Sequence, residues 1–508
     1  MLSPQWYDHP VERCELIETH ISWVILTGSY AYKVKKPVNL GFLDFSTLEG
    51  RRFFCEEELR LNRRLAPGIY LEVVPITGTT EAPVLGGEGE AIEYAVKMVQ
   101  FPQAAQLDRM LADGVLESQQ LDAFACFIAD FHKRAAVAPA EDEYGLPAQV
   151  WQPMAENFAQ IRERIDEAQL LEVLAELERW SMATFEAVEP VLLQRKAQGF
   201  IRECHGDMHL RNLAWIDEKP VAFDGIEFNP NLRWIDVISE VAFLVMDLQD
   251  RGQPELAQRF LNAYLEQSGD YAGLVLMRFY LVYRAMVRAK VSAIRLGQLQ
   301  LDEPGRAGAK AEFEQYLALA QTYTHPGPPV LVLTCGLSGS GKTSLSQPLL
   351  ECLSAIRIRS DVERKRLFGM KALESGRAAP AQGIYSTEAT GRTYAHLREL
   401  ADLLLDAGYT VIVDATFLQH AQREPFERLA RKKGLGYVLL EFSARTQTLR
   451  RRILQRSGDA SDADLAVLEH QLAVYQPLKA DVQAHTVNID TEAPFDPVAI
   501  AQRIRGLR

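Results

Sequence analysis

The chain has 508 residues, 47% of them hydrophobic and 24% charged, with a formal net charge of −13. That length exceeds one ordinary core and argues for several domains, while the acidic balance excludes broad, non-specific nucleic-acid binding. Six cysteines, at 14, 55, 126, 204, 335 and 352, include no CxxC pair; they fit reduced thiols better than a disulfide framework or a zinc knuckle.

The N-terminal MLSPQWYDHPVERCE lacks the basic-then-apolar layout of a signal peptide, so a cytoplasmic location is expected. Residues 15–37 read as short β segments: an apolar run at 21–26, a Thr27-Gly28-Ser29 turn, then alternation from Tyr30 to Val34. A charged helical pattern follows from Thr47 to Leu65. Strand patterns return at YLEVVPI (70–76) and AIEYAVKMV (91–99), with the turn GGEGE between them. Residues 103–200 are mostly amphipathic helix, so a β-rich lobe followed by a helical lobe is expected. The apolar stretch 271–287 is interrupted by Arg278 and Arg284 and reads as a buried helix, not a membrane span. TYTHPGPP (322–329) cannot continue a helix and reads as a linker. From 330 onward strand and helix patterns alternate, as in an α/β parallel sheet.

Two stretches carry chemistry. The first is HGDMHLRNL at 205–213 with AFDGIEF at 222–228. Phosphoryl transfer from ATP needs a carboxylate near the acceptor hydroxyl and oxygen ligands for a bridging Mg²⁺. Asp207, with Asn212 five positions on and Asp224 after the next hairpin, has that spacing: Asp207 orients or deprotonates the hydroxyl, and Asn212 and Asp224 hold metal. Glu227 is a candidate outer group. A metal site built on His205 and His209 lacks a third ligand, and His205 is expected to prop the loop by hydrogen bonding.

This loop resembles the HGDxHxxN loop of aminoglycoside phosphotransferase and choline-kinase-like enzymes, over about residues 10–320. The resemblance implies a protein-kinase-like bilobal α+β fold, Asp207 as catalytic base, Asn212 and Asp224 as Mg²⁺ ligands, and Asp236 as a brace from the following helix. It also implies a strand lysine paired with a helix glutamate to place the ATP phosphates. Lys33 is the candidate, with Lys35 the alternate on the same strand face; Glu58 is the expected partner, with Glu57 the alternative. Two features depart from the pattern. ETHIS (18–22) stands where a Gly-rich loop is expected, and the metal motif reads Asp-Gly-Ile-Glu.

The second stretch is GLSGSGKT at 336–343, between a strand and a helix pattern. Its glycines let backbone N–H groups wrap phosphates at a helix N-terminus. Gly336, Ser338, Gly339, Ser340, Gly341, Lys342, Thr343 and Ser344 are the candidate nucleotide-binding residues, with Lys342 on the β- and γ-phosphates and Thr343 on Mg²⁺. Asp414, ending TVIVD, is the expected second metal carboxylate. Asp361, after the strand IRIRS, is placed to activate an acceptor hydroxyl, and Arg452 and Arg456, four apart on a helix, form a candidate lid.

This pattern resembles P-loop kinases of the polynucleotide-kinase and zeta-toxin-like group, over about 330–508. The resemblance implies Asp361 as the acceptor-activating residue, Arg364 and Arg423 as substrate contacts, and Arg452 and Arg456 as the lid. The basic run through Lys432-Lys433 either meets a polyanionic acceptor or coats a helix.

The expected architecture is therefore a protein-kinase-like domain (1–321), a linker (322–329) and a P-loop domain with a mostly parallel sheet (330–508). The expected function is a bifunctional phosphotransferase using ATP and Mg²⁺, with a small-molecule, sugar or nucleic-acid-end hydroxyl as acceptor and no membrane partner. Two other readings compete. In one, the protein is an ATP-hydrolysing regulator whose first domain is a sensor. In the other, only the P-loop half is catalytic.

Overall fold

The computed structural model describes residues 1–508 except 40–42, 298–301, 373, 375–382, 456–460, 462, 479–484 and 507–508. The chain divides into two units that are discontinuous in sequence: Met1–Asp247 with Phe279–Leu317, and Leu248–Arg278 with Ala318–Arg508.

The first unit opens with an antiparallel sheet. Its strands are β1 (Glu15–Glu18), β2 (Ser22–Leu26), β3 (Tyr30–Lys35), β4 (Tyr70–Gly78), β5 (Pro83–Leu85) and β6 (Glu93–Val99), in the order β1-β2-β3-β6-β4-β5. Strand β3 has the sequence YAYKVK, and its period of two sends Lys33 and Lys35 to one face. The helix Leu48–Asn62 starts at Thr47, whose side chain accepts the Gly50 amide at 3.0 Å, and it buries Cys55, Glu58 and Leu61. The core of this lobe gathers Cys55, Ala66, Ile69, Tyr70 and Val96.

The second lobe of this unit is helical, with long helices at Ser118–Arg134, Pro147–Arg162, Ala168–Ala197 and Val237–Asp250. Short strands position the expected phosphotransfer loop. β7 (Ile201–Glu203) pairs with β10 (Trp234–Asp236), and β8 (Leu213–Ile216) with β9 (Lys219–Ala222) forms a hairpin. The apolar stretch near 280 lies in the helix Leu274–Leu296, with Phe279, Val282, Ala285 and Met286 buried. Among the described residues no helix is long and apolar enough to cross a membrane.

The second unit is built on a five-stranded parallel sheet: β11 (Val330–Cys335), β12 (Ile356–Arg359), β13 (Val411–Asp414), β14 (Gly436–Ser443) and β15 (Thr486–Asp490), in the order β12-β13-β11-β14-β15. All six residues of β11 are buried, as a parallel strand covered on both faces requires. Val332, Leu349, Leu350, Ile412, Val438 and Leu440 fill one side of the sheet. Residues 248–278, read from the sequence as part of the first domain, make their contacts here. Their helix Pro254–Ser268 buries Phe260, Leu261 and Leu265. An amphipathic helix does not declare which core it joins, because its apolar stripe fits either.

Candidate active sites

In the first unit, Lys33 and Lys35 both reach Glu58. Lys33 Nζ lies 2.8 Å from Glu58 Oε1 and Lys35 Nζ lies 2.7 Å from Oε2. Lys33 also pairs with Asp224, and Lys35 with Glu227. Glu57 faces elsewhere, bonded to Arg60 at 2.8 Å. The two lysines offered as alternatives are thus parts of one network. Burial works against both charges, yet Asp224, Glu58 and Glu227 overcome it at Lys33, and Glu227 and Glu58 at Lys35, so both lysine pKa values are raised. Burial likewise opposes ionised Glu58, but Lys33 and Lys35 hold its carboxyl at about 2. Glu227 is the exception, because burial prevails there and raises its pKa.

Asp207 and Asn212 meet directly: Asn212 Nδ2 donates to the Asp207 carboxylate and to its carbonyl, both at 3.0 Å. The Phe223 amide donates to Asn212 O at 3.0 Å, so the base of the β8–β9 hairpin sets Asn212 beside the residue preceding Asp224. Asp224 has φ 62°, and its amide donates to the Tyr70 hydroxyl at 3.0 Å. Gly225 follows because a Cβ there would meet the His205 ring at 3.1 Å.

His205 props the loop. Its Nε2 donates to Phe223 O at 2.9 Å and its Nδ1 accepts the Asp207 amide at 3.3 Å, which defines a neutral tautomer. Burial lowers its pKa in the same sense. His209 Nε2 stands 3.3 Å from Asp207 Oδ2. Burial opposes ionised Asp207, but the neighbouring His209 overcomes it and holds the carboxyl well below the usual range.

The resemblance assigned Asp236 to brace this loop, and the structure places the brace elsewhere. Asp236 is paired with Arg195 at 2.6 and 2.8 Å and accepts the Ile238 amide. The loop rests instead on Glu240. Its Oε1 accepts the amides of His205 and Gly206, both at 2.7 Å, and its Oε2 meets His132 Nε2 at 2.7 Å. Asp247 accepts the Leu210 amide at 2.8 Å, and Arg284 donates to Gly206 O at 3.1 Å. No short motif marks these groups. The sequence clue was a carboxylate, a carboxylate and an arginine on apolar helix faces, where a charge needs a partner. His132, Cys204 and Glu240 form a buried trio with ligand-type atoms within 4.8 Å of one another. The Glu240 oxygens in it are engaged by the loop amides and His132, so hydrogen bonding accounts for the trio.

In the second unit the loop Gly336–Gly341 joins β11 to the helix Lys342–Leu353. Gly336 has φ 146°, and a Cβ there would meet Phe442 O at 2.5 Å. The hydroxyl of Thr343 donates to Asp414 Oδ2 at 2.7 Å, and Thr334 Oγ1 donates to Oδ1 at 3.3 Å, so the end of β13 meets the start of the P-loop helix. Lys342 Nζ donates to Gly336 O and Leu337 O, both at 2.9 Å. The Ser338 amide donates to the Gln471 side chain at 2.8 Å, and the Ser340 amide to Leu337 O at 3.2 Å.

A cleft of about 880 Å³ opens over this loop. Ser338, Gly339, Gly341, Lys342, Thr343, Ser344, Asp361, Arg364 and Arg452 line it. Burial raises the Asp361 pKa, against the pull of Arg359 and with a further push from Asp414. Arg364 donates to Ile384 O at 2.8 Å and lies over the Tyr385 ring. Arg452 donates to Thr491 Oγ1 at 2.8 Å and to Thr491 O at 2.9 Å. Arg423 is not in the cleft wall; it is buried and donates to Phe417 O at 2.8 Å. Arg456 lies outside the described residues. In the basic run, Arg428 and Arg431 pair with Glu424 and Glu427, and Lys433 with Asp402, all at 2.6 Å, while Lys432 is exposed.

The candidate metal ligands in both sites are oxygen donors: Asp224 and the Asn212 side-chain carbonyl in one, Thr343 and Asp414 in the other. That donor set fits Mg²⁺ and suits softer metals poorly.

The chain is 32% identical over 458 residues to the uncharacterized protein Rv2004c of Mycobacterium tuberculosis, an alignment that covers 90% of this chain and 89% of the relative. The uncharacterized protein Mb2027c of Mycobacterium bovis matches to the same extent. The chain belongs to their family. Within this family member, residues 331–478 match the AAA domain model AAA_33. Among solved structures, it is similar to the amicoumacin kinase hAmiN (13% identity, 62% of this chain and 89% of that one, TM-score 0.39). It is also similar to a Plasmodium vivax ethanolamine kinase (10%, 62% and 82%, TM-score 0.35) and to a sugar kinase from a Janibacter species (20%, 35% and 94%, TM-score 0.28).

Proposed function

We propose that each unit transfers the γ-phosphoryl group of Mg·ATP to a hydroxyl. The observation that carries this reading for the second unit is the meeting of Thr343 with Asp414 at 2.7 Å beneath a cleft that also holds Lys342 and Asp361. In that unit the P-loop amides and Lys342 bind the phosphates, and Thr343 and Asp414 hold the metal. Asp361 accepts the proton of the attacking hydroxyl, and Arg452 offsets charge on the transferring group. A Mg²⁺ held by these oxygens would supply neutralisation of phosphate charge.

In the first unit Lys33, held by Glu58, binds phosphate oxygens, and Asn212 and Asp224 hold the metal. Asp207 takes the acceptor proton, and its lowered pKa keeps it ionised and ready to orient that hydroxyl. Glu240 and His205 keep the loop in shape without touching substrate.

The acceptor of the second unit is a small hydroxylated molecule. The cleft wall presents Thr387, Thr390, Tyr385, Gln419 and Gln422, all able to bond hydroxyls, while its described lysines and arginines are Lys342, Arg364 and Arg452 alone. Tracking a nucleic-acid strand calls for a longer basic groove.

The test is label transfer from γ-labelled ATP into a small-molecule extract by the parent chain, Asp207→Ala and Lys342→Ala. Loss of a different labelled product in each variant supports two phosphotransfer sites. Loss in Lys342→Ala alone makes the first unit a sensor, and release of free phosphate alone refutes transfer to these acceptors.

A further inference from the structure

Residues 248–278 stand in the sequence between two stretches of the first unit, yet they pack in the second. Their helix Pro254–Ser268 runs along β12, the outer strand of the parallel sheet. An outer strand presents backbone groups without strand partners, and side chains of the helix supply them. Gln258 and Asn262 donate to Ala355 O at 2.7 and 3.0 Å, and Asn262 Oδ1 accepts the Arg357 amide at 2.7 Å.

Glu266 continues the same helix face, four residues beyond Asn262. Its Oε1 accepts from Arg357 Nη2 at 2.9 Å and its Oε2 from Arg359 Nη1 at 3.3 Å. The two arginines are two apart on β12 and so share a face of the strand. Arg357 then reaches the P-loop helix. It donates to Thr343 O at 3.1 Å, Ser346 Oγ at 3.2 Å and Gln347 Oε1 at 2.8 Å. Thr343 is the residue whose hydroxyl meets Asp414. Arg359 stands two residues before Asp361, and its charge favours the ionised form of that carboxyl.

We propose that Glu266 is a positioning residue of the P-loop site, contributed by a segment outside the P-loop domain's own sequence. It holds Arg357 against the first turns of the P-loop helix and Arg359 beside Asp361. Without this carboxylate Arg357 and Arg359 lose the anion they share, and the Arg357 donors on the helix that carries Thr343 are no longer held in place. The claim rests on the phosphotransfer reading of the second unit.

The test uses the full chain with Asp207→Ala in every protein, so that ATP turnover lost on adding Lys342→Ala belongs to the P-loop site. Glu266→Gln is expected to lower that kcat by about tenfold to a hundredfold, the scale of a small misplacement of reacting groups, with little change in KM for ATP. Glu266→Asp, which keeps the charge, recovers part of the loss. Arg357→Lys, which keeps the charge but not the planar fork, is expected to repeat the Glu266→Gln effect and serves if that variant does not fold. Gln258→Ala, which touches only the β12 edge, lowers the melting temperature and leaves kcat unchanged. Parent kcat in both Glu266→Gln and Arg357→Lys overturns the proposal. So does an equal fall in Gln258→Ala, which would make the helix a support and nothing more. Turnover indifferent to Lys342→Ala is a separate result: it removes the phosphotransfer reading of the unit, and the positioning role with it.

Discussion

Glu58→Gln tests the buried charge network of the first unit. Glu58 is fully buried and meets Lys33 at 2.8 Å and Lys35 at 2.7 Å. Its carboxyl is held at about 2 instead of 4.5, against the opposing effect of burial. At about 1.4 kcal/mol per pKa unit, that depression contributes about 3 kcal/mol to folding at neutral pH. Removing one partner of a buried pair costs a similar ~3–5 kcal/mol. Because the folded pKa is the lower one, the contribution is complete above the unfolded value of 4.5 and is lost as pH falls to about 2. Glutamine lacks it at every pH. All six tryptophans (6, 23, 151, 180, 215 and 234) belong to the first unit, so urea unfolding followed by their emission reports that unit alone. The variant is expected to be about 3 kcal/mol less stable at pH 7, with the gap to the parent closing between 4.5 and about 2. A loss under about 1 kcal/mol, the range of an exposed pair, refutes the reasoning. A gap that stays constant through the acid window does the same.

Glu240→Ala strips the His205 and Gly206 amides of their shared acceptor and is expected to lower first-unit stability by about 3 kcal/mol or more, read by the same emission. It also abolishes Asp207-dependent labelling. Thr343→Ala removes the hydroxyl that joins the P-loop helix to Asp414. It is expected to cut Lys342-dependent turnover by about 10²-fold, the cost of losing one group that stabilises transferring charge, while tryptophan-monitored unfolding stays as in the parent. The two sites also differ in pH dependence, since a base acts only when ionised. Burial raises the Asp361 pKa, so as pH drops kcat/KM of the P-loop reaction is lost along an acid limb that lies above the ordinary carboxylate value of 3.8. The Asp207 pKa is lowered, so its reaction holds its rate to more acidic pH. Profiles measured in Lys342→Ala and Asp207→Ala separate the two limbs, and an Asp207 limb on the less acidic side contradicts the assignment.

HGDMHLRNL and GLSGSGKT were legible in the sequence because their chemistry is local. Asp207 meets Asn212 across five residues, and the P-loop is a turn whose glycines a side chain would block. The buried strands around Val330, Val411 and Tyr437 were legible for a related reason: an unbroken apolar run bounded by turn residues has few other uses. What tertiary structure alone decided was partnership over distance. Whether Lys33 or Lys35 meets Glu58 depends on the register of β3 against a helix, and the answer was both. Glu240 reaches a loop some 35 residues earlier, and Glu266 reaches a strand some 90 residues later. Their codons carry only a charge on an amphipathic helix. Which polar group satisfies that charge is settled when the chain packs, because a buried carboxylate is stable only where donors converge on it.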